Sequence, residues 1–206
     1  LPYKPKRRTR AEIARERGLG PLAEAILSDR RADPANLATA YITEDVPHVK
    51  TALDGARDIV AEMFAENADL LGRLRAYMRD RAQLRSTVVD GKQEAGAKFS
   101  DYFDHVERWA GVPSHRALAM LRGRNEDVLT LAIEIDADDT SPVKPVERMI
   151  AATLSIQQQG PGDQWLAGVA GWAWRVKLSL SLSLDLMREL REQAEEEAIK
   201  VFARNL

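Results

Sequence analysis

The residues best equipped for chemistry in this chain are cations, and they fall in two places. Lys4, Lys6, Arg7, Arg8 and Arg10 crowd the opening stretch, with Glu12 and Glu16 the nearest acids. Ser114, His115, Arg116, Arg122 and Arg124 recur along a second stretch, where Ala117, Leu118 and Leu121 keep helical spacing on the opposite side. Cations on an extended, proline-bearing backbone can each contact a phosphate without reading sequence. A helix with hydrogen-bonding residues along one side suits a nucleic-acid groove. Both sets are candidate nucleic-acid-binding residues.

The second set has a motif around it. Gly111 suits a sharp turn, Pro113 or Ser114 opens a helix, and Gly123 is placed to close it in the left-handed conformation. Phe99, Tyr102, Phe103, Val106 and Trp109 read as one face of a preceding helix from about Glu94. Residues 94–124 are therefore expected to form a helix-turn-helix-like hairpin. Glu107 departs from that pattern, because four positions before the turn glycine the crossing helices want a small side chain.

Reaction chemistry is harder to assemble. His48, His105 and His115 share no zinc-binding spacing, so no metal site is expected. Asp101, Asp104 and Glu107 beside His105 have the types of an acid/base cluster but read as a solvated helix face. The Asp54, Asp58, Glu62 ladder has Lys50 and Arg57 within pairing reach. Gly160-Pro161-Gly162 lacks the lysine of a phosphate cradle. With no cysteine there is no disulfide, thiolate nucleophile or cysteine zinc site. The expectation is a chain that is not an enzyme, holds no cofactor and takes no small-molecule substrate. Among the tryptophans, Trp109, Trp165 and Trp172 fall on apolar helix faces and read as core, while Trp174 has the better claim to exposure as a stacking platform.

The elements that must carry these residues are mostly helices. With 206 residues, 45% of them hydrophobic, and a net charge of −2, the chain can bury a core and is not a uniformly basic nucleic-acid binder. The lack of cysteine and of any membrane-length apolar run points to a cytoplasmic protein without membrane contact. Residues 1–8 are expected to be an extended basic arm. Thr9 with Glu12 makes a capping box, and the helix it starts ends at Gly18. Further helices start at Pro21 and at Asp33-Pro34. After Pro47, Ala52, Leu53, Ala56, Ile59, Val60, Met63 and Phe64 mark one helical face. Another helix carries Leu70 to Met78, with a reach as far as Leu84, and residues 86–88 follow as a turn or short extended segment.

Leu129, Leu131, Ile133 and Ile135 alternate as a strand does. A helix restarts at Ser141-Pro142, residues 157–162 form a loop, and Asp163 caps the next helix. The Leu-Ser alternation over 178–184 reads as extended or loop-like, followed by a long helix over 184–206. The fold class is mainly α, a multi-helix bundle containing the hairpin, with at most one or two short strands. No repeat or sharp linker divides the chain, which reads as one region over 1–206.

Several stretches resemble one family. They are residues 1–10 (LPYKPKRRTR), 53–59 (LDGARDI), 101–104 (DYFD), 113–120 (PSHRALAM) and 194–206, in order across the whole chain. The sequence resembles the helical region near the N-terminus of the bacterial transcription accessory proteins called Tex. The resemblance implies a cytoplasmic protein that binds RNA or DNA and acts around transcription, similar in architecture to the core of a eukaryotic transcription elongation factor. It further implies a ribonuclease H-like domain, helix-hairpin-helix elements and an OB-fold after the final helix, with the OB-fold carrying most of the affinity. On that basis this piece is a helical scaffold for those domains that adds nucleic-acid contact through the arm and the hairpin. The alternative is a module that docks only on the transcription machinery. The Leu-Ser run departs from the family's proline-serine helix start.

Overall fold

The computed structural model describes residues 6–157 and 160–206. Lys4 and the first residues of the expected arm, with part of the 157–162 loop, lie outside the described residues. Nine α-helices and a three-stranded sheet occur among the described residues, so the chain is mainly α. They sort into two compact units, one drawn from Leu1–Gly72 and Val143–Leu178, the other from Arg73–Pro142 and Ser179–Leu206. No linker composition marks the divisions, one of which falls inside a helix.

In the first unit, α1 (Arg10–Glu16) begins as the sequence predicts. Thr9 Oγ1 accepts from the Glu12 amide and Glu12 Oε2 accepts from the Thr9 amide. Gly18 turns the chain at φ +80. Next come α2 (Gly20–Ser28), α3 (Pro34–Ala38), which Asp33 caps, and α4 (Val49–Glu66). Helix α4 is the central element, burying Ala52, Ala56, Ile59, Val60 and Phe64. Leu19 packs onto it at Gly55, where an added Cβ would stand 2.3 Å from Leu19 Cδ1. Later in the chain, α7 (Pro145–Ala152), α8 (Pro161–Ala173) and a π turn (Trp174–Leu178) complete the unit. Asp163 does not cap α8: Gly160 holds that position, and Asp163 is buried in the first turn at 2% exposure. Its carboxylate receives Arg30 Nη1 at 2.9 Å. Arg30 also donates to the Leu27 and Leu154 carbonyls, and its own carbonyl accepts from the Gly162 amide at 3.0 Å.

The second unit contains most of α5 (Ala68–Arg81) and then β1 (Gln83–Val88), β2 (Asp104–Arg108), α6 (Ser114–Asn125), β3 (Leu129–Glu134) and α9 (Ser179–Arg204). The sheet order is β2-β1-β3, antiparallel throughout, with Leu84 facing Glu107 on one side and Ile133 on the other. Tyr77 on α5 donates to both carboxylate oxygens of Asp136 at 2.8 and 2.9 Å, and burial with that carboxylate pushes its hydroxyl up to about 12.

Several sequence expectations are corrected here. The run before Gly111 is not a helix: Ala97–Tyr102 is a 3-10 turn, Asp104–Arg108 is β2, and Trp109–Gly111 is a second 3-10 turn. A strand wins because it pairs with β1, whose other side is occupied by β3, and so satisfies a row of backbone groups that would otherwise be open. There is consequently no helix-turn-helix-like hairpin at 94–124, and the strands number three rather than one or two.

The Leu-Ser run is not extended either. It is the π turn followed directly by α9, because Leu178, Leu182, Leu186, Leu190 and Ala194, each four apart, are all buried. The long helix therefore starts at Ser179 rather than 184. Gly123 does not end α6. It lies inside the helix, where its missing Cβ makes room for Leu129 Cδ1 at 2.4 Å, and the chain turns instead at Asp127 with φ 58.

Candidate nucleic-acid interface

The two cationic sets end in different electrostatic states. Lys6, Arg7 and Arg8 are exposed on non-helical chain just before α1, and Arg10 is exposed on its first residue. Arg8 pairs with Glu16 at 2.6 Å across two turns. Lys6, Arg7 and Arg10 have no ion-pair partner among the described residues. Charge there remains available to a polyanion.

What fixes the base of the arm is Glu62. Its side chain, on α4, accepts from Arg15 Nη1 at 2.5 Å and from Thr9 Oγ1 at 2.9 Å, so the residue that caps α1 is also tied to the central helix. Glu62 was expected to belong to a solvated ladder. Instead it is buried, whereas Asp54 and Asp58 pair with Lys50 and Arg57 as their spacing indicates. Burial by itself would raise the Glu62 carboxyl, but the hydrogen bonds from Arg15 and Thr9 and the charges of Arg15 and Lys177 leave it below its ordinary value.

A lowered folded value means that the unfolded chain takes up the proton first. The stability from this carboxylate is therefore full above the ordinary value of 4.5 and drains away as pH falls through the lower folded value. Glu62→Gln is expected to cost ~1–3 kcal/mol at neutral pH and to flatten acid-side unfolding of the first unit. Urea midpoints across an acid pH series check it. An unchanged pH profile would mean that Glu62 does not hold α1.

Helix α6 presents a different picture. Arg116 Nε donates to Glu107 Oε2 at 3.0 Å, an oxygen that also lies 2.6 Å from His105 Nε2. The alternation of β2 puts His105 and Glu107 on the same side of the strand, so the misfit residue of the expected hairpin is the partner of one of its supposed readers. Arg122 pairs with Glu126 at 3.2 Å. His115 is exposed and Ser114 half-buried. Arg124 has no acid partner among the described residues. Burial, followed by the like charge of Arg191 on α9, lowers its guanidinium below the usual range.

The tryptophans follow the sequence expectation only in part. Trp109 is core, its Nε1–H donating to the Leu186 carbonyl at 3.2 Å. Trp174, expected at the surface, is 7% exposed. Trp172 is half-buried, with the Arg57 guanidinium 4.0 Å from its ring centre. Among the described residues there is no group of three or more histidines and carboxylates able to hold a metal ion. No helix among them is long and apolar enough to cross a membrane.

Comparison with known proteins fits this helical frame. A family described as Tex central region-like matches residues 29–202. This chain belongs to the Tex family. All of it aligns with Protein YhgF of Escherichia coli strain K12 at 52% identity, with Protein tex of Bordetella pertussis at 48%, and with the Transcriptional accessory protein Tex of Neisseria gonorrhoeae at 47%. It spans 27% of the length of each of these relatives. The family match begins after the arm, α1 and α2, so it rests on the later helices and the small sheet and not on the N-terminal cations.

Proposed function

We propose that this chain is a non-catalytic helical support within a transcription accessory protein of the Tex family, and that it adds a weak, sequence-blind nucleic-acid contact through its N-terminal arm. The observation that carries the contact is the contrast in charge pairing. Lys6, Arg7 and Arg10 face solvent without an ion pair among the described residues, whereas Arg116 and Arg122 on α6 are each neutralised by a carboxylate of their own unit. Lys4, outside the described residues, belongs with the arm. Within α6, Ser114, His115 and Arg124 remain accessible in part, so the helix plays a lesser role than the arm. The support role draws on the buried face of α4 and on the relatives, which carry this region within much longer chains.

The test is a titration of the chain against labelled RNA and DNA over a salt series. Binding should be weak and should fall with salt. Reversing Lys6, Arg7 and Arg10 to glutamate should reduce the slope of log K against log salt by roughly 0.7 to 0.9 per lost phosphate contact. Arg116→Ala with Arg122→Ala should change it less. Absence of binding at low salt, or a flat salt response, would overturn the contact. A second reading, docking on the transcription machinery without nucleic acid, is favoured by the exposed Ile199 and Phe202, three residues apart on α9. It would be preferred if the arm reversals left nucleic-acid affinity unchanged.

A further inference from the structure

Within the first unit lies a cavity of about 290 Å³ whose wall includes Arg10 of α1, Asp58 of α4, Trp172 of α8, and Val176 and Lys177 of the π turn. That volume sits at the lower end of the range for ligand sites. Two cations reach it from different elements; neither Arg10 nor Lys177 makes an ion pair among the described residues, although the Lys177 charge also acts on the Glu62 carboxylate. Asp58, the acid in the wall, is already engaged by Arg57 at 3.2 Å. Arg57 covers part of the Trp172 ring but does not line the cavity, so the indole surface presented there is surface that the guanidinium leaves open.

The backbone explains why an indole and an ammonium share this wall. On a regular α-helix, residues 172 and 177 would project about 140° apart around the axis. The π turn over Trp174–Leu178 widens the helix to i→i+5 spacing and brings residues five apart toward one side. A second cavity of about 290 Å³ shares Arg10 and Asp58 with the first and continues along α1 to Arg17. Arg17 is exposed and has no ion-pair partner among the described residues. Arg17, Arg10 and Lys177 thus stand along the two cavities beside Asp54 and Asp58, acids that Lys50 and Arg57 already engage.

We propose that the cavity between Arg10, Trp172 and Lys177 is a subsite for one nucleotide of a single-stranded nucleic acid, with the base against Trp172 and a flanking phosphate between the two cations. This rests on the nucleic-acid contact proposed above and specifies where a strand leaving the arm goes. A single strand fits because a base held in a duplex cannot leave its stack to meet an indole without an unpairing cost, whereas an unpaired base is free to stack on an aromatic ring.

The experiment is fluorescence anisotropy of the chain with a short fluorescein-labelled oligothymidylate, and with a hairpin duplex of equal charge, over a salt series. Trp172→Leu should weaken oligothymidylate binding on the order of ten-fold and leave the duplex unaffected. Lys177→Ala, at an exposed position that does not threaten folding, should lower the single-strand salt slope by roughly 0.7. The subsite is overturned if both variants bind oligothymidylate as the unsubstituted chain does, or if Trp172→Leu in a folded chain weakens duplex binding equally. In either case, weakened binding by Lys6→Glu with Arg7→Glu would leave the arm contact standing. If the unsubstituted chain binds neither probe at low salt, the arm contact and the subsite fall together.

Discussion

Arg30→Met is expected to destabilise the first unit by ~3–5 kcal/mol, close to the margin by which a small domain stays folded. The side chain ties three separate parts of that unit. It donates to the Leu27 carbonyl at the end of α2, to the Leu154 carbonyl just beyond α7, and to the Asp163 carboxylate in the first turn of α8. Methionine fills similar volume but takes a guanidinium away from a carboxylate that water scarcely reaches, and it strips two carbonyls of a donor. Urea unfolding followed by helical circular dichroism gives the measurement. A midpoint within experimental error of the unsubstituted chain would sink the idea that Arg30 holds α2, α7 and α8 together.

Gly162→Ala offers an independent check on the same clasp. Its added Cβ would stand 2.8 Å from the Arg30 carbonyl oxygen and 2.9 Å from the Arg30 Cα. Those are backbone atoms, which cannot swing aside as a side chain would, so α8 must shift or the Gly162–Arg30 hydrogen bond must open.

In the second unit the largest loss is expected from Trp109→Ala, ~3–5 kcal/mol for removing a buried indole. Trp109 sits in the 3-10 turn between β2 and α6, 6% exposed, and its indole N–H reaches the Leu186 carbonyl of α9. Its backbone amide donates to the Ala82 carbonyl at 2.9 Å, directly beyond the end of the β1–β2 ladder. One residue thereby joins the sheet, the turn and the long helix. Trp109→Phe keeps most of the apolar volume and loses the indole donor, at a cost of ~1 kcal/mol in the hydrogen bond on top of the smaller ring. Hydrogen exchange at amides of β1 and α9 distinguishes the two. Equal protection in the alanine variant and the unsubstituted chain would show that the indole does not anchor this unit.

Much of the helical frame is legible in the residues because each helix is specified locally. Thr9 with Glu12, Asp33 with Pro34, and the apolar face of α4 all use contacts within a turn or two. β2 is not specified that way. Phe99, Tyr102, Phe103, Val106 and Trp109 match a helical period, but Phe99 and Trp109 belong to two 3-10 turns and Val106 faces outward from a strand whose reason for existing is β1. Only partners about twenty residues away in sequence decide it, and no local pattern reports them.

The Leu-Ser run misleads for a different reason. A period of two contains every fourth position within it, so the same leucines satisfy a strand and an i, i+4 helical stripe. Leucine's helix propensity and the continuing stripe at Leu186 and Leu190 were the signals that favour the helix. Of the candidate interface, the exposed arm is readable from charge alone. The quenching of Arg116 by Glu107 is not, since it requires β2, and neither is the company of Trp172 and Lys177, since it requires a π turn that sequence spacing gives no reason to expect.

The two units interleave along the chain, each assembled from an early and a late segment. On a ribosome, Arg30 is made long before Asp163, and Trp109 long before Leu186, so neither unit can close until the polypeptide has grown past residue 160. Nascent α4 can pack against α1, α2 and α3 as it emerges, and only the part of its surface that α8 covers must wait for that second instalment. A nonsense mutation at any point before α8 should therefore leave both units without their late segments and yield a product that is cleared rather than half a working module.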